Sequence, residues 1–178
     1  MTQAWPWPAP KDDGAAAHLV AGTRLPAIAL PSSAGIAIDL SRLEGRAIVF
    51  VYPFTGTPGE PNPRGWDDIP GAHGSTPEAQ GFRDLMPMFA SKAIKVFGLS
   101  AQPSADQEAF ARRESLTFPL LSDAGYRFAD ALRLPRFETG GATYLQRLTL
   151  ILRDGILERC IYPVHPPHTH ANEVLARA

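Results

Sequence analysis

The 178-residue chain contains a single cysteine, Cys160. One thiol excludes an internal disulfide, a C-x-x-C redox couple and a cysteine-based zinc site. Any thiol chemistry must therefore use Cys160 or a residue that has been lost. Charge is sparse and balanced: 17 Lys and Arg against 18 Asp and Glu, a formal net charge of −1, with no basic cluster that would mark a nucleic acid or an anionic membrane as partner. No apolar run approaches the roughly 20 residues of a membrane span. Met1–Pro10 has neither the basic start nor the apolar stretch of a signal peptide. These absences predict a cytoplasmic protein with no nucleic-acid or membrane partner.

What is present suits one globular domain with a sizeable core: 44% of residues are hydrophobic and 20% charged. The organisation expected is an N-terminal arm over 1–21 followed by a single domain over 22–178. In the arm, Trp5 and Trp7 stand among prolines, so the tail either staples itself to the body or hangs loose. Lys11–Leu19 reads as a short helix. Gly22–Leu30 and Gly35–Leu40 form a hairpin-like pair around Pro31–Ala34, and Ala47–Val51 is an apolar central strand.

Further on, Phe82, Leu85, Met86 and Phe89 fall at i, i+3, i+4 and i+7, the stripe of an amphipathic helix. Pro87 interrupts it and predicts a kink. Ile94–Ser100 is a buried-type strand. A helix capped by Ser104 or Asp106 runs to about Ser115, a short strand covers Phe118–Leu121, and Asp123 leads into a helix near Tyr126–Leu132. Tyr144–Arg153 and Ile156–Pro163 flank Asp154-Gly155, a strong hairpin signal, and Asn172–Ala178 closes the chain as a helix. The order predicts an α/β protein with a mixed sheet covered on both faces.

Between the central strand and the first long helix lies a Pro- and Gly-dense loop, 54–74, longer than ordinary connections and therefore a functional candidate. It ends at Ser75-Thr76-Pro77-Glu78, which fits a capping box: the serine hydroxyl would accept from the Glu78 N–H while the carboxylate reaches back. A helix start there would present unpaired N–H donors and partial positive charge to an anionic nucleophile or oxyanion.

Tyr52-Pro53, then Pro70-Gly71-Ala72-His73-Gly74-Ser75-Thr76-Pro77-Glu78, then Phe82-Arg83-Asp84, resembles the active-site segment of peroxiredoxins. More narrowly, it is similar to an AhpC/TSA-type subgroup with an insertion between strand end and nucleophile. The resemblance covers most of the chain from Gly22 onward and implies a thioredoxin-like fold. In that family the residue before Thr-Pro is the peroxidatic cysteine; here it is Ser75. Five positions on, where some members carry a resolving cysteine, stands Gln80. The family's arginine, on a strand ahead of a hairpin, falls at Arg147 in Gln146-Arg147-Leu148-Thr149, on the strand face opposite Leu148. Tyr52, Pro53 and Thr76 would line the pocket.

The resemblance implies a thiol peroxidase that uses no cofactor, reduces a hydroperoxide and is recharged by a thiol reductant of thioredoxin or glutathione type. A homodimer is compatible with it. Pro53 and Thr57 keep the Pro-x-x-x-Thr spacing that precedes the cysteine, yet the residue three beyond Thr57 is Glu60, and Ala72 stands three before Ser75. Glu60 is thereby an outside candidate for the site. A serine cannot reduce a peroxide by itself, so the chain is expected to be inactive or nearly so as written. The serine is either a deliberate replacement or natural decay. The alternative class is a non-enzymatic binding or sensor protein using the 54–74 loop. A hydrolase built on Ser75 and His73 lacks the G-x-S-x-G elbow. Cys160 reads as a packed mid-strand thiol. His165, His168 and His170 read as a loop cluster without metal, because Pro166-Pro167 forces an extended path.

Overall fold

The computed structural model describes residues 4–178. Its centre is the expected apolar strand, β3 (Arg46–Val51), and the reason is period-2 burial on both faces. Ala47, Val49 and Val51 enter one core while Ile48, Phe50 and Tyr52 enter the other, and all six are no more than 1% exposed. Five strands form the main sheet in the order β5-β4-β3-β8-β9. β4 (Ile94–Ser100) and β5 (Leu120–Ser122) run parallel to β3, whereas β8 (Leu148–Arg153) and β9 (Ile156–Ile161) form an antiparallel flank. Asp154 and Gly155 turn that flank, both at positive φ (50° and 71°), as a two-residue hairpin turn requires. A Cβ on Gly155 would lie 2.1 Å from the Ser41 carbonyl oxygen.

One face of the sheet is covered by α1 (Ser75–Asp84), α2 (Met86–Ser91), α3 (Ser104–Arg113) and α5 (His170–Arg177), which contribute Phe82, Phe89, Phe110 and Val174 to one core. Burying a side chain of this size stabilises by roughly 1.5–3 kcal/mol. The other face is covered by α4 (Arg127–Leu132) and by the small hairpin of β1 (Ala29–Pro31) and β2 (Ala37–Asp39). At Pro87 the expected kink is a full break. α1 ends, Leu85 leaves helical geometry, and the proline ring sits in the first turn of α2, where its missing N–H costs nothing. Phe82 and Phe89 still reach the same core. Asp123 anchors α4 as a carboxylate accepting from the Phe128 and Ala129 N–H groups, at 3.1 and 2.8 Å.

Several expectations are corrected. Lys11–Leu19 is a series of turns, because Asp12 and Asp13 accept from the N–H groups of Gly14 and Ala15 and so hold the backbone in turn geometry. No side chain caps α3, which starts after Pro103. Tyr144–Arg153 is not one strand. β7 (Ala142–Leu145) pairs with β6 (Arg136–Thr139) in a separate two-stranded sheet, and Gln146 and Arg147 form the break before β8. Gln146 is held there by its N–H to the Pro135 carbonyl, 2.8 Å. α5 begins two residues earlier than expected, at His170.

His170 is buried, with Nε2 2.7 Å from Thr149 Oγ1 and Nδ1 3.6 Å from the Glu173 carboxylate. Burial pushes its imidazole down to about 4 against the pull of Glu173. The unfolded chain therefore binds a proton near pH 6.5 that the folded chain refuses until about pH 4, and stability falls with pH across that window. Between pH 7 and pH 4 the wild-type chain should lose about 3 kcal/mol more than His170→Gln, measured by urea unfolding at each pH. Parallel pH profiles for the two proteins would contradict this.

Candidate functional site

α1 begins where expected, by a different device. Its cap is Gly74, at φ +112°, and Ser75 is the first residue inside the helix. Only glycine fits there: a Cβ at position 74 would lie 2.2 Å from Pro167 Cγ and 2.9 Å from Trp5 Cζ2. The Glu78 N–H donates to the Gly74 carbonyl at 3.0 Å, and no side chain caps the helix. The capping box is therefore not formed. One residue of phase turns the Glu78 side chain inward, and its carboxylate pairs with Arg147 Nη1 in the protein interior.

Arg147 lies in the break between β7 and β8 rather than within a strand, and only 4% of it is exposed. Besides Glu78, its Nη2 donates to Ser75 Oγ at 3.1 Å and to the carbonyls of Ala72 and His73 at 3.2 and 3.3 Å. Ser75 and Arg147, 72 residues apart, thus share one buried point. Ser75 Oγ accepts from the guanidinium, which leaves its own proton to donate elsewhere. The first-turn N–H groups of α1 lie beside it without partners in the helix. Burial pushes the Glu78 carboxyl up to about 7, opposed by the adjacent Arg147. Glu78 Oε1 and Arg147 Nε have no hydrogen-bond partner among the described residues.

Over Ser75 opens a hollow of about 260 Å³. Thr76 lines it. Tyr52 and Pro53 do not. Both are buried, because the strand's alternation sends Tyr52 into the core beside Phe50, where desolvation raises its phenol. The walls come instead from Phe54, Thr55 and Trp66 of the long loop, and from Trp5 and Trp7 of the arm. The loop is tied down: Trp66 packs against Phe54, Phe137 and Tyr144 with ring centroids 4.9–5.6 Å apart, and Thr139 Oγ1 donates to the Arg64 carbonyl at 2.7 Å. The arm is stapled rather than loose. Trp7 stacks on His73 at 3.6 Å and Trp5 on His168 at 5.0 Å. The β6–β7 hairpin that supports Trp66 went unread in the sequence, although Gly140-Gly141, flanked by Phe137 and Tyr144, was its signal.

The remaining candidates fall elsewhere. Glu60 is exposed and does not line the hollow. Gln80 donates to Glu114 at 2.8 Å, over α3. His73 Nε2 bonds Asp67 at 2.8 Å, and no hydrogen bond joins His73 to Ser75 among the described residues, so the serine lacks a base. Cys160 is half-buried on β9, and burial pushes its thiol up to about 12. His165 is exposed, His168 stacks on Trp5 and His170 turns into the core. Among the described residues no three potential ligands converge as a metal site.

A family model described as Redoxin matches residues 20–175. The chain is 28% identical over 161 residues to a chloroplastic peroxiredoxin Q of Sedum lineare, covering 89% of this chain and 77% of that protein. With a further peroxiredoxin Q, of Oryza sativa subsp. japonica, the match covers 64% of the relative's length. Among solved structures, the peroxidoxin BcpB of Mycobacterium tuberculosis superposes with a TM-score of 0.70 at 28% identity, covering 88% of this chain and 94% of that one. The bacterioferritin comigratory protein of Xanthomonas campestris, described for its alkyl peroxide reduction activity, does so with a TM-score of 0.70 at 25% identity, covering 88% and 96%. The fold is thioredoxin-like, as expected.

The buried pair makes an asymmetric prediction. Arginine cannot shed its charge, whereas a carboxyl can take a proton. Glu78→Gln, which strands the guanidinium, should cost roughly 2–3 kcal/mol more at pH 5 than at pH 8, because the folded chain keeps up to about pH 7 a proton that the unfolded carboxyl gives up near 4.5. The cost of Arg147→Met should shrink as pH falls from 8 to 5 and Glu78 becomes neutral. Urea unfolding across that range checks both; equal, pH-independent costs would contradict the assignment.

Proposed function

The chain belongs to the redoxin family and is peroxiredoxin-like, and from that premise we propose that it is a non-catalytic member, holding a small ligand where a thiolate would react with a hydroperoxide. The observation that carries this is the 3.1 Å bond from Arg147 Nη2 to Ser75 Oγ at the start of α1. A sulfur at that point would sit at the positive end of the helix beside a guanidinium, two influences that lower a thiol pKa. A hydroxyl there is not ionised at neutral pH and has no sulfenic state through which to cycle. Cys160 does not stand in for it, since a thiol pushed up to about 12 stays protonated. Gln80 supplies no resolving thiol.

In the family's chemistry the thiolate attacks the terminal oxygen of ROOH. The O–O bond breaks, sulfur is oxidised by two electrons to sulfenic acid, and the oxygen of the leaving alkoxide takes a proton to give ROH. A thiol reductant then restores the sulfur. This chain's residues retain the surroundings of that step: Arg147 holds the reacting position, α1 contributes its N-terminal donors, and the aromatic walls limit water. The activity described for the Xanthomonas relative supports an alkyl hydroperoxide as substrate of a thiol-bearing parent. The 54–74 loop supports ligand binding here as part of the hollow's wall.

With dithiothreitol or a thioredoxin system present, the chain as it stands should consume hydrogen peroxide no faster than buffer. Ser75→Cys should give a single sulfenic acid at position 75, trapped with dimedone and located by mass spectrometry. Rapid turnover by the unaltered chain, or a folded Ser75→Cys protein that stays unlabelled, would overturn the proposal.

A further inference from the structure

The contact between Arg147 and Ser75 is complete without the arm, yet both arm tryptophans line the hollow above it. Trp7 lies nearly flat on His73, 8° between planes, and Asp67 holds that imidazole at its edge, through Nε2. The Gly71 N–H donates to the Pro8 carbonyl at 3.2 Å, pinning the chain just beyond Trp7. Across the hollow stands Trp66, 4% exposed and immobilised by its aromatic neighbours. All three tryptophans of the chain therefore surround one space.

The polar residues that line it, Thr55, Asn62, His73, Ser75 and Thr76, include no carboxylate, lysine or arginine. The nearby guanidinium is matched by Glu78 and the Asp67 carboxylate by His73, so no unpaired side-chain charge faces the hollow and the N–H donors at the start of α1 are left to meet a neutral oxygen. A cavity of ~150 Å³ accepts benzene, and this hollow, larger at about 260 Å³ and lined by more polar than apolar surface, has room for a ring and a short substituted carbon.

We propose that Trp5 and Trp7 are specificity-determining binding residues and that the hollow takes a neutral molecule bearing one hydroxyl or hydroperoxyl group on a flat aromatic body. The oxygen meets Ser75 Oγ, and the ring packs against the indoles in the offset or edge-on geometries aromatic pairs prefer. This rests on the Ser75 hollow being the ligand site.

The test uses the full chain with 2-phenylpropan-2-ol and tert-butanol, two alcohols alike at oxygen and different in the ring, titrated by calorimetry and by ligand-observed NMR. The aryl alcohol should bind saturably and at least tenfold more tightly. Trp5→Ala and Trp7→Ala should each cut that ratio several-fold, Trp7→Phe should restore most of it, and far-UV circular dichroism should be unchanged. Equal affinities, a ratio untouched in the alanine variants, or no saturable binding would overturn the inference. Ser75→Cys labelling by hydrogen peroxide, which is too small to need the ring wall, separates the two proposals. A labelled protein that does not discriminate the alcohols sinks only the tryptophan assignment. A folded but unlabelled one sinks the site itself.

Discussion

A guanidinium enclosed in the protein interior is the constraint around which this molecule is arranged. Arg147 cannot become neutral, so the terminal nitrogens it carries inside demand acceptors. The acceptors come from one continuous stretch: the loop end, through the Ala72 and His73 carbonyls, and the first turn of α1, through Ser75 and Glu78. One charge thereby ties the break before β8 to the start of a helix on one face of the sheet. Burial of the pair is a weak source of net stability, because desolvating two ions offsets most of their attraction. What it provides is position, since a single arrangement satisfies those acceptors together.

Around that point the structure is built outward in layers. β3 delivers the chain to Pro53. The loop then leaves the core, is pinned through Trp66 to the β6–β7 hairpin, and returns to Gly74, whose positive φ opens α1. The arm closes the outer side by stacking on two histidines that lie far apart in sequence, His73 and His168. Redoxin relatives share the scaffold, and a shared scaffold does not by itself confer chemistry. On the proposed function, an oxygen at position 75 keeps a hydrogen bond with Arg147 and offers no thiolate to a peroxide.

Much of this was legible in the sequence wherever local rules decide. β3, β4 and the Asp154-Gly155 turn follow from apolar runs and turn chemistry, the break near Pro87 from a missing donor, and the helix start at Ser75 from its flanking residues. Ser75 and Arg147 could be named together only through the resemblance, because nothing local links positions 72 apart. Reading Glu78 as a cap failed for the same reason: the preference for a capping box is a short-range tendency of about a kilocalorie per mole, and an interior cation outweighs it.

By itself the sequence determined the central strands β3 and β4, the Asp154-Gly155 turn and the start of α1, that the chain has one thiol, and that this thiol is not at position 75, since these depend on residue identity and nearest-neighbour geometry. Only the tertiary structure decided that Tyr52 belongs to the core and Phe54 to the hollow, that Arg147 stands in a break rather than a strand, and that Trp5 and Trp7 reach the site. Those outcomes depend on contacts between distant residues, where packing and charge pairing choose among conformations that local preference leaves nearly equal.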